Sequence, residues 1–333
     1  MARFCRSALL WLLFSFSGVG AAQQAADPEP VATFSIAAYD PATGDVGVAV
    51  QSKFFSVGPV VPWVESGVGA IATQAFANVT YGPRGLELLR LGLSPEQVVK
   101  LLTDTDAQRD RRQIGIVDVR GRAFSYTGPR CSPWAGGRSG QDAAGRSYAV
   151  QGNILAGEQV VLAMEQAFLT APGELADRML AALAAGQQAG GDSRGQQSAA
   201  LIIMRPGAGY AGMNDRYVDL RVEDHPRPIE ELTRLWGIKK AMGRIAEALR
   251  ALREQDVPSA RRALDQALQF APDYPDLHYA LARFHAQVGE AEKALDWLAR
   301  AVRANPAFAR AAAADPVFAP LRERPEFQRL MAP

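Results

Sequence analysis

Histidine is scarce in this chain: among 333 residues there are three, His225, His278 and His285. Residues 33–224 contain none. An HExxH zinc site is therefore absent, and Ser-His or Cys-His catalysis would have to recruit His225, which reads as a turn residue in Asp224-His225-Pro226. Cysteine is scarcer still. Cys5 lies in the extreme N-terminal segment, so Cys131 has no intramolecular disulfide partner, and a CxxC zinc site is excluded. An excess of one charge is also missing, with 36 Lys+Arg against 35 Asp+Glu. Outside the N-terminus there is no basic run, so the clustered cations that bind nucleic acid are lacking. Past the N-terminal segment, no apolar run approaches the roughly 20 residues of a membrane span.

What is present begins with an export pattern. Arg3 and Arg6 precede an apolar run over 8–16, then come the small residues Gly18, Gly20, Ala21 and Ala22. That order is a secretory signal peptide, expected over 1–22, which places the protein in the periplasm or outside the cell. The two arginines are not adjacent, as a twin-Arg signal requires, and no Cys follows the run as a lipoprotein requires. Residues 23–32 are polar, small and Pro-containing, and read as a linker.

The main body, expected over 33–237, reads as α+β. Apolar or alternating stretches over 33–39, 46–52 and 68–74 predict strands, with Asp40-Pro-Ala-Thr-Gly44 as a hairpin turn. Helices follow over 83–91 and after Ser94, where Pro95 and Gln97 complete an N-terminal capping pattern. Strands resume over 113–119, 123–127 and 148–151. A second helix pair covers 158–169 and 173–187, and strands over 199–204 and 217–222 close the body. Gly191-Asp-Ser-Arg-Gly195 fits the GxSxG spelling, but a helix precedes it and a strand follows, the reverse of a nucleophile elbow.

Residues 238–333 are rich in Ala, Leu and Arg and predict helices alone. Pro306 follows Pro272 at an offset of 34 residues, the tetratricopeptide (TPR) period. At that offset Ala260 matches Ala294, Leu264 matches Leu298 and Ala267 matches Ala301. A small all-α TPR-like domain is expected, with a protein partner as its implied ligand.

With histidine absent from the body, a chain-terminal Thr remains, because its own α-amine serves as base for its hydroxyl. That amine has a pKa near 7.7–8.0, suited to neutral pH. Thr33 opens the first strand. Thr33-Phe-Ser-Ile-Ala-Ala, Gly47-Val-Ala-Val-Gln-Ser-Lys-Phe54, Ala72-Thr-Gln-Ala75, Tyr81-Gly-Pro-Arg-Gly85, Cys131 with Trp134-Ala-Gly136, Tyr148-Ala-Val-Gln-Gly-Asn153 and Gly190-Gly-Asp192 together resemble the bacterial domain of unknown function 1028. The resemblance runs from Thr33 to about Trp236. That family is grouped with the N-terminal-nucleophile (Ntn) hydrolases, which implies an αββα sandwich with Thr33 as nucleophile.

The segment 48–53 is similar to the second strand of proteasome β subunits, where an acidic and a basic residue stand at the positions of Gln51 and Lys53. Gln51 cannot supply the carboxylate, and Lys53 is a candidate for tuning the nucleophile. Asn78 and Asn153 are candidate oxyanion donors, with turn stabilisation as the alternative. Asp192 and Ser198 are candidates for orienting substrate. Cys131 reads as a small core residue rather than a nucleophile. Residues 23–32 stand ahead of Thr33, so the α-amine mechanism requires a cut between Ala32 and Thr33. The expectation is an exported amidohydrolase acting on a small amide or peptide-like substrate, without metal or organic cofactor. The alternative is a binding scaffold on the same fold.

Overall fold

In the computed structural model, residues 31 and 33–332 are described. The expected signal peptide over 1–22 and most of the linker lie outside them. Ten strands and ten α-helices follow one another among the described residues. The hairpin of β1 (Thr33–Asp40) and β2 (Asp45–Ser52) opens the body. Its turn is held by Asp40 Oδ1, which accepts from Ala42 N at 2.9 Å. After β3 (Pro62–Glu65) and β4 (Gly69–Ala75) come α1 (Tyr81–Arg90) and α2 (Pro95–Asp104). The Ser94 cap forms as the sequence predicts: Ser94 Oγ accepts from Gln97 N, and Ser94 N donates to Gln97 Oε1 at 2.8 Å. Then follow β5 (Arg112–Asp118), β6 (Ala123–Thr127), β7 (Gly136–Gln141), β8 (Ser147–Gly152), α3 (Gln159–Thr170), α4 (Leu175–Gln188), β9 (Ser198–Met204) and β10 (Arg216–Val222).

These strands make two antiparallel sheets, ordered β10-β9-β2-β1-β8-β7 and β3-β4-β5-β6. Alternation along β1 explains the layers. Phe34, Ile36 and Ala38 face α3 and α4, and Ala37 faces the other sheet. The seam between sheets is lined by small or β-branched residues, among them Ala37, Val48, Ala70, Ala72, Val117 and Ala149. The outer face of the smaller sheet packs Ile71, Ile114 and Ile116 against Leu86, Val98 and Leu102 of α1 and α2. The result is the expected αββα sandwich. Two strands escape the sequence reading, β3 and β7. Both are edges, where one-sided pairing relaxes the need for alternating apolar residues; β3 begins with Pro62 and β7 is Gly-Gly-Arg-Ser-Gly-Gln.

The boundary expected at 237/238 falls inside one helix, α5 (Pro228–Arg253), of 26 residues and about 39 Å in length. Its first part sends Ile229, Leu232 and Trp236 into the core of the larger sheet and α4. Its second part packs Ala241, Ala248 and Ala251 against α6 (Val257–Phe270) and α7 (Pro275–Gln287). α8 (Ala291–Ala304), α9 (Ala307–Ala314) and α10 (Pro325–Met331) complete the tail. All six repeat residues, Ala260, Leu264, Ala267, Ala294, Leu298 and Ala301, are buried. The tail's histidines are buried too: His278 Nε2 lies 2.6 Å from Pro272 O, and His285 Nδ1 lies 2.8 Å from Glu290 Oε2.

Candidate functional site

Strand register gathers the start of β1, the end of β2 and the start of β9 at one end of the sandwich, through the row Thr33, Ser52 and Ser198. The end of β4 and the start of β5 reach the same end, because Val31 bridges to Ala75 and Ala75 pairs with Arg112. Thr33 points into the seam and is fully buried. Its Oγ1 donates to Val31 O at 2.8 Å and lies 3.1 Å from Ser52 Oγ. Its carbonyl oxygen accepts from Asn153 N at 3.0 Å and from Gln74 Nε2 at 3.3 Å.

Behind Thr33 runs a chain of uncharged polar side chains. Ser35 Oγ donates to Gln74 Oε1 at 2.5 Å and accepts from Gln151 Nε2 at 2.7 Å. Gln74 Nε2 and Asn153 Nδ2 converge on Gln113 Oε1 at 2.8 and 3.0 Å. Gln113 Nε2 reaches Gly152 O at 2.8 Å and Thr127 Oγ1 at 2.9 Å. Gly115 gives this network its room, since a Cβ there would stand 2.0 Å from Gln151 Oε1. Buried amides are expensive unless bonded, and these bond to one another across the two sheets.

The other sequence candidates divide by placement. Gln51 pairs with Phe34 and Ala199, both in the helix-facing core, so its side chain is on the opposite face of the sheet from Thr33. It is fully buried, and neither amide atom has a hydrogen-bond partner among the described residues. Lys53 lies just past β2 and is exposed; its backbone N–H donates to Asp192 Oδ2 at 3.1 Å. Asp192 is buried and also takes Arg194 Nη2 at 3.0 Å, which anchors the loop before β9. Ser198 Oγ donates to Phe54 O at 2.6 Å and accepts from Val57 N at 3.1 Å, tying down the segment after β2. Asn78 Nδ2 donates to Asp106 Oδ2 at 3.2 Å, and its Oδ1 accepts from Thr80 N and Oγ1. Of the candidates, Thr33 and Asn153 thus meet in one network. Ser35, Ser52, Gln74, Gln113 and Gln151 join them without having been singled out in the sequence, although four of the five lie inside the quoted motifs.

Three alternatives to Thr33 lose ground. Burial pushes the Cys131 thiol up to about 11, so the thiolate is not the resting form at neutral pH; Sγ donates to Arg112 O. His225 Nδ1 accepts from Arg227 N at 3.1 Å within its turn. Ser193, in the GxSxG spelling, donates to Ile154 O from the turn between α4 and β9.

Comparison with known proteins now bears on these residues. The family of unknown function DUF1028 matches residues 33–232. The chain belongs to that family. The match starts at Thr33 itself, and the tetratricopeptide repeat family matches residues 251–314. The DUF1028 domain is similar to the crystal structure of a protein from Silicibacter pomeroyi of the same family, at 33% identity and a TM-score of 0.55, over 62% of this chain and 84% of that one. No curated protein matches the chain significantly. Among the described residues no group of three or more His, Cys, Asp and Glu is arranged to hold a metal ion, and no helix is long and apolar enough to cross a membrane.

Proposed function

We propose that this DUF1028 chain is an exported amidohydrolase of the N-terminal-nucleophile type, held latent by the residues ahead of Thr33. The observation that carries the reading is the position of Thr33. It is the first residue of β1, its hydroxyl is in the seam between the sheets, and Ser52 Oγ is 3.1 Å away. Hydrolysis of the bond between Ala32 and Thr33 would free the α-amine. That amine takes the Oγ1 proton as Oγ1 attacks the amide carbonyl of a small amide or peptide-like substrate. The protonated amine then gives its proton to the leaving nitrogen, and water attacks the resulting ester with the amine again as base. Asn153 Nδ2 and Gln74 Nε2, both in the network behind Thr33, would serve as side-chain donors to the oxyanion once they exchange their bonds to Gln113. Neither Gln51 nor Lys53 has a part in this scheme.

A second reading, a binding scaffold whose TPR-like tail docks a protein, is favoured by a specific observation. Thr33 is fully enclosed, and Val31 seals it through reciprocal bonds to Ala75, Val31 N to Ala75 O at 2.8 Å and Ala75 N to Val31 O at 3.1 Å. The readings separate on variants of the secreted protein assayed against a panel of acyl anilides. The hydrolase reading expects turnover that Thr33→Ala abolishes and Thr33→Ser partly retains. Turnover unchanged in Thr33→Ala would refute the role of Thr33.

A further inference from the structure

The end of the sandwich away from Thr33 carries a cleft of about 820 Å³ between α4, β10, α5 and α6, lined by Glu174, Asp177, Tyr217, Trp236, Lys239 and Phe270 among others. Its size is that of a small-molecule site, roughly 300–1,000 Å³. Three acidic residues line it and each is already matched. Glu174 Oε2 accepts from Arg205 at 2.9 Å and from Tyr217 OH at 3.1 Å. Asp177 Oδ1 accepts from Lys240 at 2.7 Å and from Trp236 Nε1 at 2.9 Å. Glu247 pairs with Arg244 at 2.6 Å.

Lys239 is different. It is half-buried, its Nζ stands 5.0 Å from the centre of the Tyr217 ring, and Arg205 lies over the same ring at 3.8 Å. Among the described residues no carboxylate is within 4 Å of its ammonium. Burial first, and the Arg205 charge with it, push the Lys239 pKa down, while Glu174 pulls the other way. An anion beside Lys239 would favour its charged form and so oppose both.

Gly243 leaves one wall of the cleft bare. It lines the cleft from the interior of α5, where glycine is unfavourable relative to alanine. Yet a Cβ there would meet nothing within 4 Å, so packing within the chain does not require the glycine. The bare backbone there keeps that stretch of the cleft wall open.

We propose that this cleft binds a monocarboxylate carried on an apolar, aryl-sized body, with Lys239 as counter-ion and Tyr217, Phe270 and Met242 against the body. The carboxylate can come from a free acid or from the C-terminal residue of a peptide. Isothermal titration calorimetry on the full chain tests it, with 3-phenylpropionate, its neutral amide and the peptide Gly-Gly-Phe as probes. At least one of the two carboxylates should bind tenfold or more tighter than the amide, and which one does so names the source. Lys239→Met should erase that preference while leaving the melting temperature in place. Gly243→Leu, which enters open space, should keep the fold and weaken binding of every probe at least tenfold. Three results would overturn the proposal: no binding of either carboxylate at millimolar concentration, equal binding of acid and amide, or an acid preference that survives Lys239→Met. The cleft is remote from Thr33, so failure here leaves the hydrolase reading standing, and the reverse.

Discussion

Gln113 holds five other residues through one side chain, accepting from Gln74 and Asn153 and donating toward Gly152, Thr127 and Gly136. Gln113→Leu would strip buried Asn153 Nδ2 of its acceptor and take one of two acceptors from Gln74 Nε2, each buried orphan costing about 1–3 kcal/mol. Urea denaturation of the variant should therefore show a loss of at least about 2 kcal/mol. Gln51 predicts the opposite. Its amide is buried without a partner, so Gln51→Met, similar in length and apolar, should leave stability unchanged or raise it by about 1 kcal/mol. A large loss would mean that the Gln51 amide has a polar role the fold does not reveal.

Asp106 adds a pH test. Burial alone would raise its pKa. Arg112 Nε, the Gln108 N–H, Tyr81 OH and Asn78 Nδ2 outweigh burial and hold it well below the ordinary 3.8. A carboxylate depressed on folding stabilises fully above its unfolded pKa and loses that stabilisation as pH falls through the folded one. Asp106→Asn should then be less stable than wild type by about 1–3 kcal/mol at pH 7, and the gap should narrow steadily below pH 3.8. A gap constant from pH 7 to pH 2 would contradict the ionic account of that cluster.

At the level of elements, the long helix α5 couples the two domains. Trp236 belongs to the sandwich core, and one turn later Lys240 donates to Asp177 at 2.7 Å. A chain ending at Trp236 should keep its sheets in circular dichroism. It should melt below one ending at Arg253, since the lost Asp177 contact is worth on the order of 1 kcal/mol, or roughly 2–4 °C. Loss of the sheet signal in both would show that the tail completes the core. Legibility in the sequence follows the same physics. The strands buried on both faces, the Ser94 cap and the 34-residue repeat leave periodic or chemical marks, and they stand out. The edges β3 and β7 leave none. The seam glutamines leave little mark for a related reason: a lone Gln within a strand, as in β4, β5 and β8, reads as an outward-facing residue, and it becomes an interior one only because a second sheet covers it. Thr33 and Asn153 were found because chemistry, not periodicity, drew attention to them.

Across the whole molecule, the two ends of the sandwich are chemically unlike. One holds a sealed, uncharged network around Thr33. The other has the matched ion pairs and aromatic rings of the α4–α5 cleft. The Thr33 end is closed by Val31, which the proposed chemistry must remove, because a threonine inside a chain has no α-amine to act as base. The most direct measurement is therefore the N-terminal sequence and intact mass of the protein recovered from outside the cytoplasm. The account predicts a population of chains that begin at Thr33, and amide-hydrolysing activity that rises with that fraction. Chains that all begin upstream of Thr33 after prolonged incubation, yet turn over amides as fast, would contradict it.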